Sequence, residues 1–203
     1  MKRLILMAMI ALLLSTGLSW GSQFEDGMAA HARGDYVSAL KIFRSLAAQG
    51  DPKAQYNLGQ MSLEGQGIAQ NYPDAAKWFR LAAVQGDALA QHNLAVLYEN
   101  GQGIAQDYSE ARKWYRLAAA QGIARSQSNL GLMYGKGQGG PKDLLRAHMW
   151  LSLGAMQGNA NAAKNRDVAE KMMTSQQITE AQKMARKCQQ QNLKDCDREM
   201  RSI

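Results

Sequence analysis

Residues 107–122 read DYSEARKWYRLAAAQG. The same pattern occurs at residues 35–50, DYVSALKIFRSLAAQG, at 71–86, NYPDAAKWFRLAAVQG, and at 143–158, DLLRAHMWLSLGAMQG. The four starts, Asp35, Asn71, Asp107 and Asp143, stand 36 residues apart with no insertion between them. A fixed period of this length means one structural unit stacked on copies of itself, which points to a binding surface before it points to catalysis.

Each block carries two helical patterns. Asp or Asn at the start supplies a side-chain oxygen for the free N–H groups of a first helical turn. Asp107 with Glu110 has the spacing of a capping box, and Pro73 falls within a first turn, where a missing N–H costs nothing. Tyr72, Ala75, Trp78, Phe79, Ala82 and Ala83 recur on one helical face, with Lys77 and Arg80 on the other. Each such helix is expected to end at Gln-Gly, where Gly50, Gly86, Gly122 or Gly158 can take the left-handed conformation. The second helix follows at once, as at Asp51-Pro52, an N-cap with proline at the first helical position. Its apolar positions repeat as Ala54, Leu58, Met61, as Ala90, Leu94, Leu97 and as Ser126, Leu130, Met133. Gly59, Ala95 and Gly131 leave room for a neighbouring helix. These helices stop at Gly65-Gln66-Gly67, Gly101-Gln102-Gly103 and Gly137-Gln138-Gly139. No period-2 alternation persists. The expected fold is all-α: a right-handed α/α superhelical solenoid of about five helix pairs, because neither helix of a block can bury its face alone.

The register Ala90, Leu94, Tyr98, Gly101, Gly103, then Asp107, Tyr108, Ala111, Trp114, Tyr115, Ala118, Ala119 and Gly122 resembles the Sel-one-like repeat, a relative of the tetratricopeptide repeat. The resemblance runs from about Gln23 to Lys187. Departures mark the ends. Ser62 stands where Tyr98 and Tyr134 stand, Arg166-Asp167 replace a Leu-Gly pair, and the Gly-x-Gly loop is lost at Met173-Thr174-Ser175. Ala160 to Met173 is read as a longer degenerate helix. Thr174 with Gln177 makes a capping box for a last helix to about Gln190. Phe24 to Ala32 reads as the first helix of a leading unit.

The chain start has another character. Met1-Lys2-Arg3 is basic, Leu4 to Leu14 is apolar and Ser15 to Ser22 is rich in small residues, the layout of a secretory signal peptide. Eleven apolar residues fall short of the about 20 needed to span a bilayer. Cleavage is placed after Gly21, with Ser19 as the alternative; an uncleaved signal anchor is the other reading. The expected organisation is a signal peptide at 1–21, a leading helix pair at 22–50, Sel-like repeats at 51–158, and a degenerate capping repeat and tail at 159–203. The expected location is periplasmic or secreted, with the membrane involved only through the export signal. Without Lys2 and Arg3 the chain keeps 22 basic against 17 acidic residues, a net charge of +5. Charges of both signs are interspersed, and no cluster of Arg and Lys with interleaved aromatics suggests nucleic acid.

Cys188 and Cys196 are the two cysteines, and an exported chain with an even count suggests a disulfide worth roughly 2.6 kcal/mol. In a continuous helix they would lie about 12 Å apart, whereas a disulfide needs Cα atoms within about 7 Å. Either the last helix breaks near Gln191-Asn192 or the pair is not bonded. Zinc is not expected without nearby histidines.

The resemblance implies that the first helix of each pair lines a concave groove. The positions beside its core residues are then Tyr56, Asn57 and Gln60; His92, Asn93 and Val96; Ser128, Asn129 and Leu132. Asn57, Asn93 and Asn129 form a ladder of amides able to meet a peptide backbone, or to position neighbouring helices. Trp78, Trp114 and Trp150, with Phe79 and Tyr115, fall on the core face, where packing explains them. Lys77, Arg80, Lys113 and Arg116 form a basic stripe of a solvated face. His31, His92 and His148 sit in separate units without metal-ligand spacing, and the glycine loops lack the Gly-Lys-Ser/Thr of a phosphate site. The one Gly-x-Ser-x-Gly string, Gly17-Leu18-Ser19-Trp20-Gly21, falls within the expected signal peptide. Ser-x-x-Lys occurs once, at Ser38-Ala39-Leu40-Lys41 in the first block. Cysteine-rich relatives of the repeat are linked to β-lactams, but no cysteine lies between Asp35 and Gln157 here. The expected function is a non-enzymatic, cofactor-free scaffold or regulator that binds another protein as a monomer, taking up a peptide or helix. The resemblance places such scaffolds in envelope assembly, membrane signalling or host contact. The alternative is an envelope hydrolase or glycan-binding protein, β-lactamase-like or peptidoglycan-related.

Overall fold

The computed structural model describes residues 22–193 and residue 196; residues 1–21, expected to be a signal peptide, lie outside the described residues, as do 194, 195 and 197–203. Among the described residues there are ten helices and no strand. They are α1 (22–32), α2 (Tyr36–Ala48), α3 (Pro52–Glu64), α4 (Tyr72–Val84), α5 (Ala88–Asn100), α6 (Tyr108–Ala120), α7 (Ala124–Lys136), α8 (Leu144–Met156), α9 (Ala160–Glu170) and α10 (Ser175–Gln190). The chain forms two compact units, the first ending at Gln85 and the second beginning at Gly86.

The block starts act as the sequence predicts. Asp35, Asn71, Asp107 and Asp143 each cap the helix that follows, accepting from first-turn N–H groups. Asp51, Asp87 and Asn159 do the same for α3, α5 and α9. Gly65, Gly101 and Gly137 close α3, α5 and α7 in the left-handed conformation.

In the first unit α3 packs against α2 and α4. Its core gathers Leu40, Phe43, Leu46, Leu58 and Met61, with Trp78 half-buried against it. A Cβ on Gly59 would stand 2.5 Å from the Phe79 ring, so this glycine sets how closely α3 meets α4.

In the second unit α6 lies against α5 and α7, α7 against α8 and α9, and α8 against α9 and α10. Gly131 serves α7 and α8 as Gly59 serves the first unit: its Cβ would be 2.7 Å from Cγ of Leu151. Trp114 is 8% exposed and Trp150 1%, so both belong to the core. Trp114 also donates its indole N–H to Glu110 at 3.0 Å.

Two details differ from the sequence expectations, and a third departs from the repeat's own pattern. Glu110 does not close a capping box on Asp107. The Asp107 N–H already donates to the Tyr98 carbonyl at 3.0 Å, and Glu110 turns to Lys113 and Trp114. Helix α9 ends at Glu170, not Met173, because the N–H groups of Met172 and Met173 donate to Ala169 and Glu170 in a tight turn that leads to Thr174. The capping box of Thr174 and Gln177 then opens α10 as expected. At α7 the register of Asp51 and Asp87 holds Ile123, which gives no side-chain cap.

Helix α10 stops at Gln190, and Asn192 and Leu193 adopt positive φ of 52° and 63°. That break is the one the disulfide requires. Cys188 and Cys196 are bonded, with Cα atoms 5.1 Å apart.

Candidate functional site

Two successive turns of α7 begin the site. Ala124 and Arg125 open the helix, and Ser128, Asn129 and Leu132 follow one and two turns later. His92 of α5 and the amides of Asn159, Asn161 and Asn165 at the start of α9 complete the walls. They enclose an open cavity of about 630 Å³, within the range of ligand pockets.

Of the predicted groove residues, the second unit therefore brings His92, Ser128, Asn129 and Leu132 to one cavity; Asn93 and Val96 do not line it. In the first unit Tyr56, Asn57 and Gln60 are all half-buried on α3. Tyr56 packs on Phe79, ring centroids 5.9 Å apart. The asparagine ladder is not a row of free amides. Asn57 donates to the Lys53 carbonyl of its own helix at 2.8 Å. Asn129 donates to the Tyr115 hydroxyl at 3.0 Å, and that hydroxyl donates to Glu99 at 2.7 Å. Burial first, then the Glu99 charge and hydrogen bond, push the Tyr115 phenol far above its usual range. It stays a neutral donor, so Asn129 is fixed by a second layer of polar contacts.

Other side chains of the cavity are uncommitted. The side chains of Arg125, Ser128, Asn161 and Asn165 make no hydrogen bond or ion pair with other described residues. Ser128 lines the cavity and is 4% exposed, and its hydroxyl has no partner among the described residues. Such a group costs free energy when left without a partner. Among the described residues no carboxylate lines the cavity.

His92 is bonded through Nδ1 to the Ser126 hydroxyl at 2.7 Å and lies 5.6 Å from the Tyr115 ring. Burial, reinforced by the positive charge of Arg125, lowers its pKa to about 4. It is a neutral imidazole at neutral pH. The unfolded chain takes up a proton on this residue near pH 6.5 that the folded chain refuses until about pH 4. Stability rises with pH wherever the unfolded state binds more protons, so this contribution is full above about pH 6.5 and declines as pH falls from there. Urea denaturation at about pH 7.5 and about pH 5 should show a smaller loss of stability in His92→Gln than in the parent chain.

Sequence reading missed the device that binds the units' helices together. Gln85 donates to Gln55 at 2.8 Å in the first unit. Gln121 to Gln91 and Gln157 to Gln127 repeat it at 2.8 Å in the second. The buried partners pass the chain on, Gln55 to the Ala47 carbonyl and Gln127 to that of Ala119. The signal was present as glutamine recurring at one register. The amides of α9 were missed as well, because that unit departs most from the pattern.

A second cavity, of about 370 Å³, lies among α8, α9 and α10. There Ser152 Oγ is 3.3 Å from His148 Nδ1, and His148 Nε2 is 2.7 Å from Glu170 Oε1. A Ser–His–carboxylate chain invites comparison with a nucleophilic triad. Ser152 sits one turn after His148 inside α8, where backbone N–H groups are consumed by the helix and cannot stabilise an oxyanion. His148 is fully buried and Ser152 is 5% exposed. The chain therefore fastens α8 to α9. Among the described residues no group of three His, Cys, Asp or Glu side chains is placed to hold a metal ion, and no helix is long and apolar enough to cross a membrane.

A family model of the Sel1 repeat matches residues 22–51, 52–87, 88–123 and 124–159. The chain belongs to the Sel1 repeat family. This Sel1 repeat protein is similar to a solved Sel1 repeat protein from Oxalobacter formigenes, with 32% identity and a TM-score of 0.68 over 71% of this chain and 60% of that one. It is also similar to a protective antigen of uropathogenic Escherichia coli strains that displays an SLR fold, with 25% identity and a TM-score of 0.62 over 91% of this chain and 48% of that one. The Sel1 repeat chain thus spans less than two thirds of either neighbour. No curated protein sequence matches it. The all-α solenoid class expected from the period is the class of these neighbours.

Proposed function

We propose that this Sel1 repeat protein is a non-enzymatic interaction protein that holds an extended segment of another protein in the cavity walled by α5, α7 and α9. The observation that carries the reading is a set of uncommitted polar side chains, Arg125, Ser128, Asn161 and Asn165, converging on one cavity. Amides both donate and accept, which suits a peptide backbone whose own groups must be matched on burial. Leu132 adds an apolar wall for a side chain. Among the described residues no tryptophan or tyrosine lines the cavity, so a sugar ring finds no indole or phenol face there to stack on. This favours a peptide over the glycan alternative. The work is positioning and capture, with no chemical turnover.

We place the protein in the envelope, periplasmic or secreted. The basic and apolar start of the chain supports export, and the Cys188–Cys196 disulfide suits an oxidising compartment.

Capture from cell-envelope extract tests the function. The parent chain is compared with Arg125→Gln/Ser128→Ala/Asn165→Ala, which removes no side-chain hydrogen bond or ion pair among the described residues. At least one protein should be enriched by the parent and reduced about tenfold or more in the variant, at unchanged melting temperature, since hot-spot losses exceed about 1 kcal/mol. Identical capture by both chains contradicts the reading. So does hydrolysis of a β-lactam or of peptidoglycan that disappears on Ser152→Ala.

A further inference from the structure

We propose that the cavity selects an acidic residue: the carboxylate of an aspartate or glutamate in the bound segment seats between the Arg125 guanidinium and the Ser128 hydroxyl. This rests on the proposed function and adds the chemistry of what is held.

The repeat itself supplies the comparison. The cap register reads Asp51, Asp87, Ile123 and Asn159 in successive copies, and two residues on it reads Lys53, Leu89, Arg125 and Asn161. At α3 the Asp51 carboxylate shares the first turn with Lys53, and at α5 the Asp87 carboxylate stands alone. At α7 the carboxylate is gone and a guanidinium has arrived. Helix α9 brings only the neutral cap Asn159. The cavity lies where these two turns meet. Its charged and titratable groups are Arg125 from α7 and His92 from α5, and α9 contributes amides. An imidazole held neutral leaves one full positive charge and no negative one.

Ser128 gives the second line of support. A serine inside a helix ordinarily satisfies its hydroxyl on the carbonyl one turn back. Here that carbonyl, Ala124, accepts from Asn159 Nδ2 at 3.5 Å, and the hydroxyl has no partner among the described residues although Ser128 is almost wholly buried. A hydroxyl free to donate, beside a guanidinium with no counter-charge among the described residues, fits an anionic acceptor. The single cation matches the single charge of a carboxylate. A phosphoryl dianion would leave negative charge uncompensated in a partly buried site.

The test uses the folded full chain, followed by NMR at the Arg125 Nε–H and the His92 ring. The probes are N-acetyl-glutamate N-methylamide, its glutamine counterpart and inorganic phosphate, at equal ionic strength. The glutamate compound should shift both signals saturably and bind about fivefold tighter than the glutamine compound. It should also raise the His92 pKa, because a bound anion offsets Arg125. Arg125→Gln should abolish the preference and Ser128→Ala reduce it, with the fold intact, since neither side chain makes a hydrogen bond or ion pair with another described residue. Equal binding of both compounds overturns the acidic preference and leaves the peptide-holding function standing. Tighter binding of phosphate overturns it in favour of an oxyanion site. Cavity signals unmoved by every probe contradict both.

Discussion

Gly139→Ala is expected to destabilise the second unit by about 3 kcal/mol or more, one of the largest effects of any single methyl group in the chain. Two independent costs meet there. Gly139 has a φ of 72°, in the left-handed region that costs an L-residue about 1–2 kcal/mol. A Cβ would also fall far inside contact distance of the Tyr108 carbonyl oxygen, and 3.0 Å from the Ser109 N–H nitrogen. Those atoms belong to the first turn of α6 and cannot rotate away as a side chain can. The same contact recurs in the first unit, where a Cβ on Gly67 would meet Tyr36 Cβ at 2.9 Å. The glycine loop of one helix pair is thus seated on the start of a neighbouring helix. Hydrogen exchange should show the protection of α6 and α7 amides falling together in the variant. Gly158→Ala also carries a positive φ, of 83°, but its Cβ would meet no atom within 4 Å. It should cost only the conformational part.

Trp150→Ala should cost about 3–5 kcal/mol, the range for truncating a buried aromatic. Trp150 is 1% exposed on α8, which is packed by α7, α9 and α10 at once. Nearly every face of the indole borders protein, so the void has no easy way to collapse. The matched control is Trp78→Ala in the first unit. Trp78 is half-buried, with the Lys77 ammonium 5.8 Å from its ring. Its loss should cost less than half as much, because much of its surface never left water. Denaturant melts of the two variants, each against the parent chain, give the comparison.

How much of this was legible in sequence depends on whether the cause was local. Helix starts were, since Asp35, Asn71, Asp107 and Asp143 cap by contacts within three residues. The break after α10 was legible as a condition: Cys188 and Cys196 could pair only if the helix stopped, and the positive φ of Asn192 and Leu193 shows how it does. The Glu110 capping box failed for a non-local reason, since a carbonyl of the preceding helix had already taken the Asp107 N–H.

The candidate site divides the same way. His92, Ser128, Asn129 and Leu132 follow from the resemblance and the helix register, and they share one cavity. The α9 amides that face them could not be placed, because nothing in sequence says which side of a degenerate helix closes a neighbour's groove. The glutamine relay was visible as a recurrence, but its donors and acceptors are set by which helices meet in the fold. It also bears on meaning. Gln55, Gln91 and Gln127 are shared by the copies and serve the fold. Arg125 stands at a position where the copies differ, and it lines the cavity.

The most direct test places a photocrosslinking amino acid at Asn161, an exposed residue of the cavity wall, and at Lys183 on α10 as a control. After irradiation in envelope extract, crosslinked peptides are mapped by mass spectrometry. Crosslinks from position 161 should map to one segment of one partner, carry an acidic residue close to the crosslink, and be absent from position 183. Partner crosslinks from position 183 with none from position 161 would place recognition on another face and contradict the account.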